Sequence, residues 1–289
     1  SSKATGKIRY MDNEASTKIQ LDDYPSETFE HFFYITKGVK QIQCPPGMIP
    51  VVCLNYESFT IVASNLLLGS SENTGVQLPI IAANIQSKGR LMCFSHINIL
   101  LHPYFDGDDN SILIRNSLWW LNSQQPIDQP VLLLNIPQIY TDQITNSLER
   151  LHISVIKSTS TKNLHNHKLI IMPSDMDLSD DSTVDDLVSF VSQGGGIAVF
   201  YSPPQSHDFS NSNHINRFLS LYGLSFTYCS LTDDDEAPFR IPIPNSFDDV
   251  REFNLVPLKK LLIEELQDNH IEKIESLDTL VFVIRYYIM

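Results

Sequence analysis

Charge is scarce in this sequence, and positive charge is scarcest. Only 19% of the 289 residues are Asp, Glu, Lys or Arg, below the ~25% of an ordinary soluble domain. The 34 acidic residues outnumber the 20 basic ones, leaving a net charge of −14. A protein that neutralises phosphate backbones needs a basic stripe, so nucleic acid is excluded as a partner. The same deficit argues against electrostatic attachment to an anionic membrane surface. No apolar run approaches the ~18 residues that span a bilayer, so no transmembrane segment is expected. No basic-then-apolar segment opens the chain at Ser1, so secretion is not indicated. The expected location is cytoplasmic, with a cytoskeletal or ciliary association as a variant. Four cysteines stand at 44, 53, 93 and 229 without a C-x-x-C pair. Cys53 and Cys93 lie inside apolar runs, which reads as buried free thiols in a reducing compartment. No H-E-x-x-H occurs, which excludes a zincin-type centre within these residues.

What is present is an alternation of strands and helices. Residues 1–50 read as an irregular extension, and the regular pattern begins near Val51. Residues 59–63 and 90–96 read as strands, and 110–122 as a helix carrying Trp119 and Trp120. A βα series follows. Residues 131–134, 153–156, 168–172 and 197–201 are short apolar strands, of the kind buried on both faces of a parallel sheet. Between them, Thr141 is positioned to cap a helix with Ile144, Leu148 and Leu151 apolar. Ser182 is positioned to cap another, with Val184, Leu187, Val188 and Val191 on one stripe. Residues 215–222 place Ile215, Phe218, Leu219 and Tyr222 on the same spacing. This alternation predicts an α/β domain over 51–245. The acidic, proline-rich stretch 233–250 marks a boundary, and 246–289 reads as a linker with a helix at 257–268 and a strand at 279–288.

The candidate chemistries fail one by one. Gly194, Gly195 and Gly196 follow a helix and precede a strand, the reverse of a phosphate cradle, so they read as a helix stop. A nucleophile elbow needs small residues around the nucleophile at a strand end. Ser202 is the one candidate, and Tyr201 and Pro203 flank it. Cys93 sits within a strand and reads as core. His96 ends that strand, facing the carboxyl edge where α/β proteins bind ligands, but no partner acid can be assigned to it. Asp106, Asp108 and Asn110 begin like a calcium loop, yet Ser111 and Ser117 stand where Gly and Glu are required. Asp108 and Asp109 read instead as support for a helix N-terminus. Asp175, Asp177 and Asp180 fail the same calcium test, and His165 with His167 lacks a third ligand.

The order of these motifs resembles a known family. A strand running from Lys88 and Gly89 to His96 precedes the tryptophan-pair helix. A βα unit and an amphipathic helix follow, the helix entering the triple glycine and the strand ending at Phe200. This is similar to the N-terminal domain of the TRP channel-associated factor family over residues 57–245. Those proteins join a class I glutamine amidotransferase-like domain to an enhancin-type metallopeptidase-like domain. The resemblance implies a three-layer, flavodoxin-like parallel sheet. Working class I amidotransferases use a Cys nucleophile on an elbow, backed by His and Glu. Ser202 and Pro203 stand at that place here, so the resemblance brings no amidotransferase activity with it.

The expected function is a non-catalytic interaction or scaffold domain within a larger protein or assembly, of cytoskeletal, axonemal or channel-regulatory type. Its protein partners would be met through the N-terminal and C-terminal extensions. The alternative is an accessory domain of an enhancin-type zinc metallopeptidase whose catalytic domain lies beyond this chain. A third reading keeps a hydrolase or ligand site at the sheet edge near His96, Ser202 and Asp175. No catalytic, cofactor-binding or metal-binding residue is assigned, and no cofactor is expected.

Overall fold

The computed structural model describes residues 27–64, 78–86, 88–203, 210–227 and 238–250. Cys229, the helix expected at 257–268 and the strand expected at 279–288 lie outside the described residues. At the centre is a seven-stranded sheet. Its strands are β3 (Ser58–Ala63), β4 (Pro79–Gln86), β5 (Gly89–Phe94), β6 (Val131–Leu134), β7 (Val155–Ser158), β8 (Leu169–Pro173) and β9 (Gly196–Phe200). Their spatial order is β3-β4-β5-β9-β8-β6-β7. The five strands from β5 to β7 are parallel, and β4 and β3 extend the sheet antiparallel at one edge. This is the parallel α/β architecture that the alternation predicts, in the three-layer, flavodoxin-like form that the resemblance implies.

Strand periodicity sorts the two faces. Val131 and Leu133 of β6, Leu169 and Ile171 of β8 and Ala198 and Phe200 of β9 face one core. The intervening Leu132, Leu134, Ile170, Met172, Ile197 and Val199 face the other. Helices α1 (Glu27–Thr36), α2 (Asn110–Leu121) and α3 (Gln138–Arg150) cover the first face. Helices α4 (Asp181–Ser192) and α5 (Ser210–Ser220) cover the second. Both faces of β6, β8 and β9 are therefore dry, which is why those strands are apolar at every position. Phe94 and Phe200 stack across β5 and β9 with ring centroids 4.3 Å apart.

The irregular reading of 1–50 fails in its second half. Phe32 and Ile35 of α1 are fully buried. Strand β1 (Gln41–Cys44) pairs antiparallel with β11 (Phe239–Pro242), and β2 (Val51–Cys53) pairs with β10 (Leu224–Phe226). Residues 238–250 share this core, since Phe247 is fully buried and packs edge-on to Phe29 with ring centroids 5.0 Å apart. These segments are polar on one side only, and their partners lie some two hundred residues away, beyond the reach of local periodicity.

Three end assignments also change. Asp109 precedes α2, but its carboxylate accepts from the backbone N–H groups of Lys40 (2.7 Å) and Gln41 (3.3 Å) rather than capping the helix. Asp108 accepts from Arg240 Nε at 2.9 Å. These acids fasten β1 and β11 to the start of α2. Asn110 completes the joint: its Oδ1 accepts from Gln43 N–H, and its Nδ2 donates to the Gln43 and Tyr104 carbonyls. Thr141 lies inside α3, and its hydroxyl donates back to the Pro137 carbonyl at 3.0 Å. The cap of α4 is Asp180, which accepts from Ser182 N–H at 3.1 Å. An acceptor two residues earlier satisfies the same orphan donors.

Candidate functional site

The five parallel strands end together at one edge of the sheet. Strand β6 connects through α3 to β7 on one side, and the chain then crosses to β8 on the other. The order therefore reverses between β6 and β8. In open α/β sheets this switch point leaves a crevice outside the carboxyl ends of the strands, where ligands bind. Phe94 of β5 and Pro173 of β8 both pair with Phe200 of β9. Two residues further along each strand stand His96, Asp175 and Ser202. The structure thus brings the three sequence-predicted residues to one edge.

What they do there differs from a catalytic triad. His96 is 4% exposed. Its Nδ1 accepts from Asn98 N–H at 3.0 Å, capping the short 3₁₀ turn Ile97–Leu100. Burial pushes its pKa down to about 4. A neutral imidazole that accepts at Nδ1 carries its proton on Nε2, so His96 has no free lone pair to take a proton from Ser202. Asp175 acts on Ser202 rather than on the histidine. Burial raises the Asp175 pKa, while its own backbone N–H and the Ser202 hydroxyl pull it back down. Even so, neither Asp175 Oδ1 nor Ser202 Oγ has a well-formed hydrogen bond in its buried position. Ser202 N–H donates to Ser174 Oγ at 3.0 Å, and the Ser174 N–H donates to the Phe200 carbonyl.

Ser202 also lacks the backbone of an elbow nucleophile. Among the described non-glycine residues, positive φ occurs at Asp108, Ser123, Gln124, Asn135, His152 and Asn163, and not at 201–203. The strained strand-to-helix turn belongs instead to Asn135, with φ 57°, between β6 and α3. One turn into α3, Tyr140 approaches the same place. Its phenol pKa is raised by burial and further by the Asp175 charge. Asn135, Tyr140 and Ser174 were not legible as site residues. The faint signal was Asn135 itself, a left-handed-tolerant residue between an apolar run and a proline.

The other candidates disperse. Cys93 is fully buried and its thiol pKa lies well above the ordinary value because of that burial. Asp177 accepts from Ser179 N–H at 2.9 Å and Asp180 from Ser182 N–H, so these two acids serve separate turns while Asp175 faces Ser202. His165 lies within the short 3₁₀ turn Leu164–Asn166 and His167 follows it, and burial lowers the His167 pKa, with the His165 charge adding to it. Among the described residues no group of three His, Cys, Asp or Glu side chains could hold a metal ion. No helix among them is long and apolar enough to cross a membrane.

The edge therefore offers a half-buried carboxyl beside a buried hydroxyl, with the His96 imidazole engaged in its own cap. Asp175→Asn tests how far the carboxyl is held against its preference. A carboxyl whose folded-state pKa is raised costs stability as pH climbs above its ordinary range. Asp175→Asn is expected to unfold at higher denaturant than the parent at pH 7, with the two curves converging near pH 3.

No protein-family model matches the chain, and no curated protein matches it. Solved structures do match in fold. The IMPa metallopeptidase from Pseudomonas aeruginosa aligns with a TM-score of 0.57 at 12% identity, over 83% of this chain and 26% of that one. IMPa in complex with T-antigen gives 0.55 at 12% identity, over 76% and 24%. IMPa in complex with an O-glycopeptide gives 0.54 at 13% identity, over 76% and 24%. The chain spans about a quarter of the length of these structures. At such identity the likeness is one of fold.

Proposed function

We propose that this chain is a non-catalytic α/β accessory domain of a larger protein of the enhancin-type metallopeptidase kind, whose zinc-bearing domain lies elsewhere in the polypeptide. The observation that carries this reading is the fold likeness to one quarter of IMPa, a protein named as a metallopeptidase. The order of motifs leading to the TRP channel-associated factor family supports it, because that family joins the same two kinds of domain. The engaged Nδ1 of His96 and the relaxed backbone at Ser202 support a supporting role over an enzymatic one. Its work is then contact with the rest of the protein and the presentation of substrate to it. Peptide or glycopeptide is the substrate class this reading carries over from the IMPa complexes.

The test is the full-length gene product. It is expected to contain H-E-x-x-H outside residues 1–289 and to cleave an O-glycopeptide in a zinc-dependent way, read by mass spectrometry, while residues 1–289 alone leave it intact. A full-length product without H-E-x-x-H overturns the reading.

A further inference from the structure

At the opposite edge of the sheet, Arg90 and Arg115 both lie close enough to Tyr34 for their charges to act on its phenol, and among the described residues neither is in an ion pair. Arg90 opens β5 and is half-buried. Its guanidinium lies 5.0 Å from the Trp120 ring centroid and donates to the Trp120 carbonyl. Arg115, on α2, lies 5.4 Å from the Trp119 ring centroid, and its Nε is buried without a hydrogen-bond partner. Both guanidiniums act on one phenol, that of Tyr34 on α1. Burial raises the Tyr34 pKa, and the charges of Arg90 and then Arg115 oppose the rise. No carboxylate figures among the influences on Arg90, which are burial and the Tyr34 phenol. Neither arginine joins the ion pairs found among the described residues, which use Arg150, Arg217, Arg240, two lysines and two histidines. His31 adjoins the cluster as a neutral group, because its Nδ1 accepts from Trp120 Nε1 at 3.0 Å.

Partly buried guanidinium groups are ordinarily matched by carboxylates. This chain has 34 acidic side chains to supply one. The indole faces offset part of the cost of burial, but beyond the one Arg90 bond to the Trp120 carbonyl they leave the guanidinium N–H groups, the buried Arg115 Nε among them, without an acceptor among the described residues. Planar forks of this kind bind the paired oxygens of an oxyanion. We propose that Arg90, Arg115 and Tyr34, floored by Trp119 and Trp120, form a binding site for a ligand bearing a phosphate or sulfate group. Each guanidinium would donate two N–H groups to the oxyanion, and the Tyr34 hydroxyl would donate a further hydrogen bond. The half-buried Trp119 and Tyr34 rings would pack on the carrier of the anion.

The chain contains only two tryptophans, and both lie in this site, so intrinsic fluorescence reports on it directly. Residues 1–289 would be titrated with inorganic phosphate and with sulfate against sodium chloride of matched ionic strength. Saturable fluorescence change and a raised unfolding midpoint with phosphate or sulfate are expected. Arg115→Gln, which removes a charge from a partly exposed helix position, should weaken binding at least about tenfold. Arg115→Lys should recover only part of that loss, because an ammonium lacks the fork. Arg90→Gln should weaken binding comparably, and Arg115 decides the question where the Arg90 variant does not fold. An equal response to chloride, undiminished binding in folded Arg115→Gln, or acetate binding as tightly as phosphate would overturn the proposal.

Discussion

Gly89→Ala and Gly196→Ala should each cost about 3 kcal/mol or more, lowering the unfolding midpoint by roughly 10 °C. A Cβ at Gly89 would overlap the Val191 carbonyl oxygen and come within 2.6 Å of Val191 Cγ1 and 2.8 Å of the Gly195 carbonyl oxygen. A Cβ at Gly196 would overlap the Leu121 carbonyl oxygen and lie 2.9 Å from the Leu121 carbonyl carbon. The obstacles are backbone, which cannot swing aside. Val191 belongs to α4 and Leu121 to α2, so the two glycines let helices on opposite faces close onto the same edge of the sheet. Gly38→Ala is the control. Its φ is +76° but nothing lies within 4 Å of the added carbon, so the cost is limited to the backbone preference, about 1–2 kcal/mol. Denaturant unfolding of the three variants separates close approach from backbone conformation. Equal losses at Gly38 and Gly196 would show that close packing is not what fixes glycine there.

The triple glycine shows how a correct local reading can be incomplete. Gly194, with φ +102°, does stop α4, as the helix-then-strand order predicts. Gly195 and Gly196 are held by sterics against Phe190 and Leu121, and Leu121 is distant in sequence. Elsewhere the same division holds. Strands β6, β8 and β9 were legible because full burial makes them apolar at every position. Helix α1 was not, because Thr28, His31 and Thr36 interrupt its buried stripe and the strand after it finds its partner at Phe239–Pro242. At the candidate site, His96, Asp175 and Ser202 could be located as strand-end residues. Which nitrogen His96 commits to its cap, and the approach of Tyr140 from α3, depend on side-chain geometry that spacing does not encode. Arg90 and Arg115 come together only through Tyr34, in the part of the chain that read as irregular.

A second large effect is expected from acid. The His96 pKa falls from its ordinary 6.5 to about 4 on folding, so the unfolded chain takes up a proton before the folded one does. The stability that neutral His96 contributes is whole above pH 6.5. It declines as pH falls and is gone by about pH 4, a change of about 3 kcal/mol. His96→Asn keeps an acceptor for Asn98 N–H through its Oδ1 and cannot titrate. Its slope over that interval should be shallower than the parent's, the remainder coming from His31 and His167, whose pKa values burial lowers, and from Asp175, whose pKa burial raises. Urea unfolding at half-unit pH steps measures the slope. Parallel slopes for parent and His96→Asn would show that His96 does not titrate with folding.

The antiparallel pairing of β1 with β11 has a mechanical consequence. Gln41 sits opposite Pro242, and Phe29 touches Phe247, so polypeptide entering at residue 27 and polypeptide leaving at residue 250 pass through one place on the surface. Such a body can be spliced into the middle of a longer chain without driving apart what comes before and after it. Tension applied through those two connections would first load the contact of α1 with Phe247 and then the four-residue ladder from Gln41 inward, ahead of the parallel sheet.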